Sequence, residues 1–231
     1  VPAFTVADEY VPHAVAAIGL LRQHPAVDAG RIFALGHSQG GTVAPRVAAA
    51  EPSVAGLVVL AAGMQPLHWA AVGQMRYLAS LAPETAGPSQ AAVDALTEQA
   101  RAWSTARTCP RPRRRVSCPS GCRLRNGWTC APTGRSRLPR RSASRCSSSK
   151  AGRDYQVTTV ADDLTGWEAE LAHCPDVTIK VYPSGNHFSF PGSGRSAPAE
   201  YEPPSTRTPA VVADIADWLV RLDERPMGPA T

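Results

Sequence analysis

The sequence predicts a parallel α/β sheet, and three observations carry that expectation. Arg31 to Leu35 is a short strand of large apolar residues that runs into the turn Gly36-His37-Ser38-Gln39-Gly40-Gly41, after which Thr42 to Ala50 supplies the small residues of a close-packed helix. Val54 to Ala62 is almost continuously apolar, as a parallel strand buried on both faces should be. Val177 to Tyr182 reads as another strand, preceded by a helical pattern and followed by one. Strands that alternate with helices imply parallel pairing through crossover connections.

Taken in order, Thr5 and Asp8 have capping-box spacing, and Val11, Val15, Ile18 and Leu21 recur at helical intervals until Pro25. The strand and helix around Ser38 follow, with Pro45 near the helix's first turn. Trp69 to Leu81 and Gln90 to Trp103 read as helices, separated by the Pro/Gly break of Pro83 to Pro88, and are expected to form a cap over the site. Asp162 to His173 is predicted helical, and Pro209 to Leu222 is an amphipathic closing helix carrying Val211, Val212, Ile215, Trp218 and Leu219.

With 231 residues, 43% hydrophobic and 19% charged, the chain suits one globular domain with a real core. Its longest apolar run, Gly56 to Gly63, is far below the roughly 18 to 20 residues of a membrane span, so a soluble, cytoplasmic protein is expected. The net charge of +5 would point to an acidic partner if it were spread evenly. It is not. Residues 104–150 hold 13 of the 24 Lys and Arg and none of the 19 acids, which leaves 11 bases against 19 acids, or −8, elsewhere. That window also holds Cys109, Cys118, Cys122, Cys130 and Cys146, with only Cys174 outside it.

Gly36-His37-Ser38-Gln39-Gly40 fits G-x-S-x-G, in which a sharp strand-to-helix turn lifts a serine above the carboxyl end of the sheet. The flanking glycines are expected on steric grounds, since side chains there would meet the neighbouring strand and helix. A serine needs a base to take its proton, and the base needs an orienting carboxylate. Of six histidines, His37 is expected to face away from the serine, His13, His24 and His173 lie on or at the ends of helices, and His68 begins the cap. His187, in the loop Pro183 to Phe188 directly after the last strand, stands where a base would reach the sheet's carboxyl end. Asp154, in the glycine-led loop Gly152 to Val157, is the first choice for the acid, whereas Asp162 and Asp163 are explained by capping a helix.

The chain order Ser38, Asp154, His187 and the runs Asp8 to Ala62 and Gly152 to Trp218 resemble an α/β-hydrolase of the dienelactone hydrolase and serine-peptidase-like esterase kind. The resemblance covers about three quarters of the chain and implies the C-terminal half of that parallel sheet, an incomplete fold with a helical cap segment, truncated at its N-terminus. It also implies an acyl-enzyme on Ser38, with the Gln39 N–H as one oxyanion donor and a second donor from an earlier loop. The expected substrate is a small-molecule ester, with thioester and peptide acyl groups as competitors. Neither cofactor nor metal is implied, no nucleic-acid or membrane partner is expected, and the oligomeric state is left open.

Three segments follow: residues 1–103 with the elbow and the start of the cap, 104–150 as an aberrant Arg/Cys/Ser/Pro-rich and disordered segment, and 151–231 with the acid and the base. In the middle segment, Arg145 to Lys150 stands where the buried strand before Asp154 belongs, yet its Arg-Cys-Ser-Ser-Ser-Lys sequence is expected not to form one. Reading Ser144 to Lys150 one frame over, with G/C-rich codons, permits Pro-Val-Leu-Val-Leu-Gln; we therefore expect a frame error that opens near Ser104 and closes near Lys150. A natural basic linker is the alternative. The cysteines lack a C-x-x-C pair, which argues against zinc, and the Arg111 to Arg115 run lacks the aromatic residues of a nucleic-acid surface. A catalytically inactive fragment is the competing functional reading, because half a sheet with one absent core strand buries less apolar surface.

Overall fold

A computed structural model describes residues 6–81, 88–105, 122–123, 129–130, 145–157, 160–172, 174 and 176–223. Thr5, the Pro83 to Gly87 break, His173 and the Arg111 to Arg115 run fall outside them. The first three elements are helix α1 (Val6–Gln23), strand β1 (Phe33–His37) and helix α2 (Gln39–Ala50). Strand β2 (Gly56–Leu60) leads to the helices α3 (Leu67–Leu81) and α4 (Gln90–Thr105). The short strands β3 (Cys122–Arg123) and β4 (Thr129–Cys130) pair with each other in an antiparallel ladder. Strand β5 (Arg145–Ala151), helix α5 (Val160–Leu171), strand β6 (Asp176–Tyr182) and helix α6 (Pro209–Asp223) complete the order.

The sheet is β1-β2-β5-β6, parallel at every step, with Phe33 opposite Gly56, Leu57 opposite Cys146 and Cys146 opposite Val177. Its centre follows from sequence: every residue of β2 is buried, and Leu57 and Val59 are fully so. On one face Val43, Ala44, Val47 and Ala48 of α2 join Ile18 of α1 and Trp167 and Leu171 of α5. On the other, Trp218 and Leu222 of α6 cover Val58 and Leu60. Burial of such side chains contributes about 1.5 to 3 kcal/mol each, so both faces are held by apolar packing rather than by the few surface ion pairs.

Element boundaries shift in two informative places. The first strand begins at Phe33 rather than Arg31 and extends to His37, and α2 starts at Gln39 instead of Thr42. Pro45 therefore lies inside α2, where its missing N–H removes one rung of the helical ladder. The helices expected at Trp69 to Leu81 and Gln90 to Trp103 are present as α3 and α4.

The larger correction concerns Arg145 to Lys150, which forms β5 between β2 and β6. Backbone ladders need no particular side chain, and the neighbours on both sides impose the register. The strand nevertheless carries a polar interior: Cys146 through Ala151 are all buried, Ser148 Oγ has no hydrogen-bond partner among the described residues, and the Lys150 ammonium donates to the Ala62 carbonyl over the Trp167 ring. Of the remaining window, Cys109 and Cys118 lie outside the described residues.

Candidate active site

The carboxyl ends of β1, β5 and β6 lead into the segments that carry Ser38, Asp154 and His187. Ser38 follows β1 directly and adopts φ 54°, ψ −120°, in the region that side chains rarely occupy. Such a conformation costs about 1 to 3 kcal/mol and persists only where surroundings enforce it. Here the Ser38 N–H donates to the Leu60 carbonyl at 2.8 Å, and the Ser38 carbonyl accepts the Thr42 N–H at 3.1 Å. The turn is thus tied to β2 behind it and to α2 ahead.

The glycines divide their work differently from the expectation. A Cβ at Gly36 would overlap the Gly40 carbonyl and come 2.5 Å from the Gly41 nitrogen. At Gly41 it would come 2.7 Å from Ala62 Cβ. At Gly40 it would meet nothing within 4 Å, which corrects the view that both flanking glycines of the motif are sterically required. Gly40 matters as backbone against which Gly36 packs.

Asp154 and His187 are brought together by the loops that leave β5 and β6. His187 Nδ1 lies 2.8 Å from Asp154 Oδ2, and both side chains are about 95% buried, with exposures of 4% and 5%. Asp154 Oδ1 accepts the N–H groups of Gln156 at 2.8 Å and Val157 at 3.2 Å, so the carboxylate is satisfied on both oxygens. Bonding of Nδ1 to a carboxylate fixes the tautomer that leaves Nε2 as the free acceptor. The loops are themselves joined, since Gly152 N–H donates to the Tyr182 carbonyl and Arg153 N–H to the Gly185 carbonyl, each at 2.9 Å. Among the described residues Ser38 Oγ makes no hydrogen bond, and it caps no amide of α2. Gln39, the first residue of α2, presents its N–H at the helix N-terminus, the positive end of the helix dipole. Asp162 and Asp163 lie in the first turn of α5, as expected of acids at a helix start.

His37, set aside as facing elsewhere, proves to be part of the assembly. Its Nε2 lies 2.9 Å from the His187 carbonyl oxygen, and its ring stacks on Phe188 at 5.3 Å with 21° between planes. Burial holds its imidazole below the ordinary 6.5, against the opposing pull of that carbonyl, so Nε2–H of the neutral ring is the donor. The side chain points away from Ser38's role and toward supporting the loop of His187.

Asn186 and Glu200 were also missed. Asn186 is buried, with Oδ1 accepting the N–H groups of Phe188 and Phe190 at 3.1 Å each and Nδ2 donating to Glu200 Oε2 at 3.1 Å. Above the acid loop lies α3, whose Gln74 Nε2 donates to the Gln156 carbonyl at 2.6 Å and whose Tyr77 stacks on Tyr155 at 4.9 Å. A cleft of about 430 Å³ opens between the exit of β2 and α3, lined by Gln65, Pro66, Trp69, Val72, Gly73 and Arg76.

A parallel sheet that enters a helix through a serine of positive φ, and ends in adjoining loops bearing a hydrogen-bonded aspartate and histidine, has the arrangement of the α/β-hydrolase fold. No family model matches it. Over 222 residues it is 28% identical to Esterase EstD of Thermotoga maritima, a match that spans 94% of this chain and 49% of that one. The chain therefore spans about half the length of this curated relative. Among solved structures it is similar to an esterase of Pyrococcus furiosus, at 17% identity and TM-score 0.49 over 95% of this chain and 62% of that one. Acetyl xylan esterase 1 of Thermoanaerobacterium is another, at 16% identity and TM-score 0.43 over 91% of this chain and 51% of that one.

Proposed function

We propose that the chain is a serine hydrolase that cleaves carboxylic ester bonds of small molecules, with Ser38 as nucleophile, His187 as base and Asp154 as orienting acid. The observation that carries the reading is the buried 2.8 Å contact between His187 Nδ1 and Asp154 Oδ2, reached from the same carboxyl end of the sheet as the strained Ser38 turn. Similarity to Esterase EstD supports the choice of an ester. As Ser38 Oγ attacks the carbonyl carbon, its proton passes to His187 Nε2. The oxyanion that forms is met by the Gln39 N–H. Collapse expels the alcohol, which leaves with the proton from His187, and the acyl group stays on Ser38. Water then attacks the acyl carbon while His187 again takes a proton, and the carboxylic acid departs with Ser38 restored. Formation of the Ser38 to His187 bond belongs to the substrate-bound state, since such bonds often tighten only then.

In this reading residues 1–103 and 151–231 carry the nucleophile, the acid and the base, and 104–150 lies between them and contributes β5 to the sheet. A second reading, an inactive fragment, is favoured by the polar interior of β5. Labelling of the 231-residue chain by a fluorophosphonate, beside a Ser38→Ala control, separates the two. Labelling that disappears in the control is expected; absence of labelling in folded wild-type protein would sink the hydrolase reading.

A further inference from the structure

Glu200, in the short 3-10 helix Pro198–Tyr201 of the connection between β6 and α6, gathers three partners that belong to different parts of the site. Its Oε1 pairs with the Arg153 guanidinium, and Oε2 accepts Asn186 Nδ2 and Ser196 Oγ, each at 3.1 Å. Arg153 immediately precedes Asp154, and Asn186 immediately precedes His187. The acid and the base are therefore each one residue from a ligand of the same carboxylate.

The rest of the arrangement is built to hold that carboxylate and its arginine. The Arg153 side chain is 8% exposed, and beyond Glu200 it donates through Nε to the Gly194 carbonyl at 2.8 Å and through Nη2 to the Ser193 carbonyl at 3.1 Å. Any Cβ at Gly192 would run into the guanidinium. Ser196 is fully buried, and its carbonyl accepts the Tyr77 hydroxyl of α3 at 2.8 Å. Burial raises the Glu200 carboxyl, but bonds from Arg153, Asn186 and Ser196 outweigh it and hold the group below its ordinary value, ionised at neutral pH. The guanidinium meets Glu200 through Nη2 alone, and its bonds to the Gly194, Ser184 and Ser193 carbonyls fix the plane from which it does so.

We propose that Glu200 is a positioning residue for catalysis, which clamps the loop of Asp154 to the loop of His187 through Arg153 and Asn186 and so fixes the separation of acid and base. The proposal rests on the hydrolase reading only for its kinetic consequence. Without the clamp, the two loops keep their backbone bonds yet lose the part-buried charged link, and the imidazole gains freedom about the Asp154 contact. Misplacement on the order of 1 Å in such a pair costs about 100-fold in rate.

The test uses the full chain as wild type, Glu200→Gln and Glu200→Ala, with kcat and KM measured on p-nitrophenyl acetate. The His187 Nδ1 proton, followed by NMR in the unliganded protein, is the second readout. Expected is a fall in kcat of about 10-fold for Glu200→Gln and about 100-fold for Glu200→Ala, KM nearly constant, and loss or broadening of the downfield Nδ1 proton in parallel. Glu200→Gln keeps an amide oxygen for Asn186 and Ser196 and serves where Glu200→Ala fails to fold. Unchanged kcat with an intact Nδ1 proton, or a change confined to KM, would overturn the clamp. If wild type hydrolyses nothing, the hydrolase reading fails on its own, and the Nδ1 proton still decides the clamp: its loss in the Glu200 variants upholds it, and its persistence overturns it.

Discussion

His37 Nε2 lies 2.9 Å from the carbonyl oxygen of His187, so the residue just before the candidate nucleophile holds the backbone of the candidate base. The contact spans the sheet from the end of its first strand to the loop after its last, and the ring completes it by stacking on Phe188. His37→Phe keeps a stacking ring and removes the bond. A loss of about 1 kcal/mol in stability is expected, as for one partly buried hydrogen bond. Urea denaturation of the two proteins at pH 7.5 measures it, and equal midpoints would contradict the role.

The same residue sets an acid dependence. Burial first, and the neighbouring positive charges with it, keep the folded-state pKa of His37 below 6.5, so the unfolded chain takes up the proton earlier. Its contribution to stability is therefore complete above pH 6.5 and is lost as pH falls through 6.5 toward the lower folded value. His68, also lowered by burial, adds the same sign. The lowered carboxyls of Glu51 and Asp214 act further down, below about pH 4.5, because their ordinary values are 4.5 and 3.8. Stability measured from pH 7.5 to 5.5 should decline in wild type and decline less in His37→Phe; parallel curves would exclude His37 as a source of the slope.

Much of this site was legible because its demands are local. A strand, a serine turn and a small-residue helix are consecutive in sequence, His187 sits in a loop that directly follows a readable strand, and Asp154 stands in a glycine-led loop. What escaped reading depends on partners far away. His37 and Glu200 gain their roles from residues 150 and 47 positions distant, at His187 and Arg153, and no spacing rule encodes such pairs. The strand β5 escaped for another reason. Arg-Cys-Ser-Ser-Ser-Lys has neither alternation nor apolar content, and its conformation is dictated by β2 and β6 on either side.

Asp154 should matter more for rate than for substrate affinity. With Asp154→Asn, the amide turns a donor toward His187 Nδ1, favours the wrong tautomer, and leaves Nε2 protonated and unable to accept from Ser38. On the proposed mechanism kcat falls by about 10,000-fold with little change in KM. Stopped-flow hydrolysis of p-nitrophenyl acetate gives both constants, and a variant within tenfold of wild type would remove Asp154 from the mechanism.

The glycines of the elbow make a sharper contrast. Gly36→Ala places a methyl group into the Gly40 backbone, which has no side chain to move aside, and is expected to cost about 3 kcal/mol or more. Gly40→Ala finds open space at a helical position and is expected to be neutral or stabilising by up to about 1 kcal/mol. Thermal denaturation of both variants distinguishes a steric from a merely motif-based requirement. Equal destabilisation would mean that open space at Gly40 is not what governs tolerance.

The polar interior of β5 makes the most direct claim about the history of the chain. Ser148 Oγ is buried with no hydrogen-bond partner among the described residues, so Ser148→Ala removes a desolvated hydroxyl and should stabilise by about 1 kcal/mol or more. Lys150, 4% exposed, holds an ammonium beside the Ala62 carbonyl and the Trp167 ring; Lys150→Met keeps the length and removes the charge, and should also stabilise. Natural core strands seldom gain from every apolar replacement, because their residues were selected for that site. A frame error between Ser104 and Lys150 accounts for a strand in which both changes help, since the alternative reading Pro-Val-Leu-Val-Leu-Gln supplies apolar residues where Cys146 to Ser149 are buried. Replacing residues 145–150 by that sequence should raise the unfolding midpoint above either single variant, and the nucleotide sequence should contain the alternative frame. Destabilisation by Ser148→Ala and Lys150→Met together would instead mark β5 as a strand whose polar side chains belong to it.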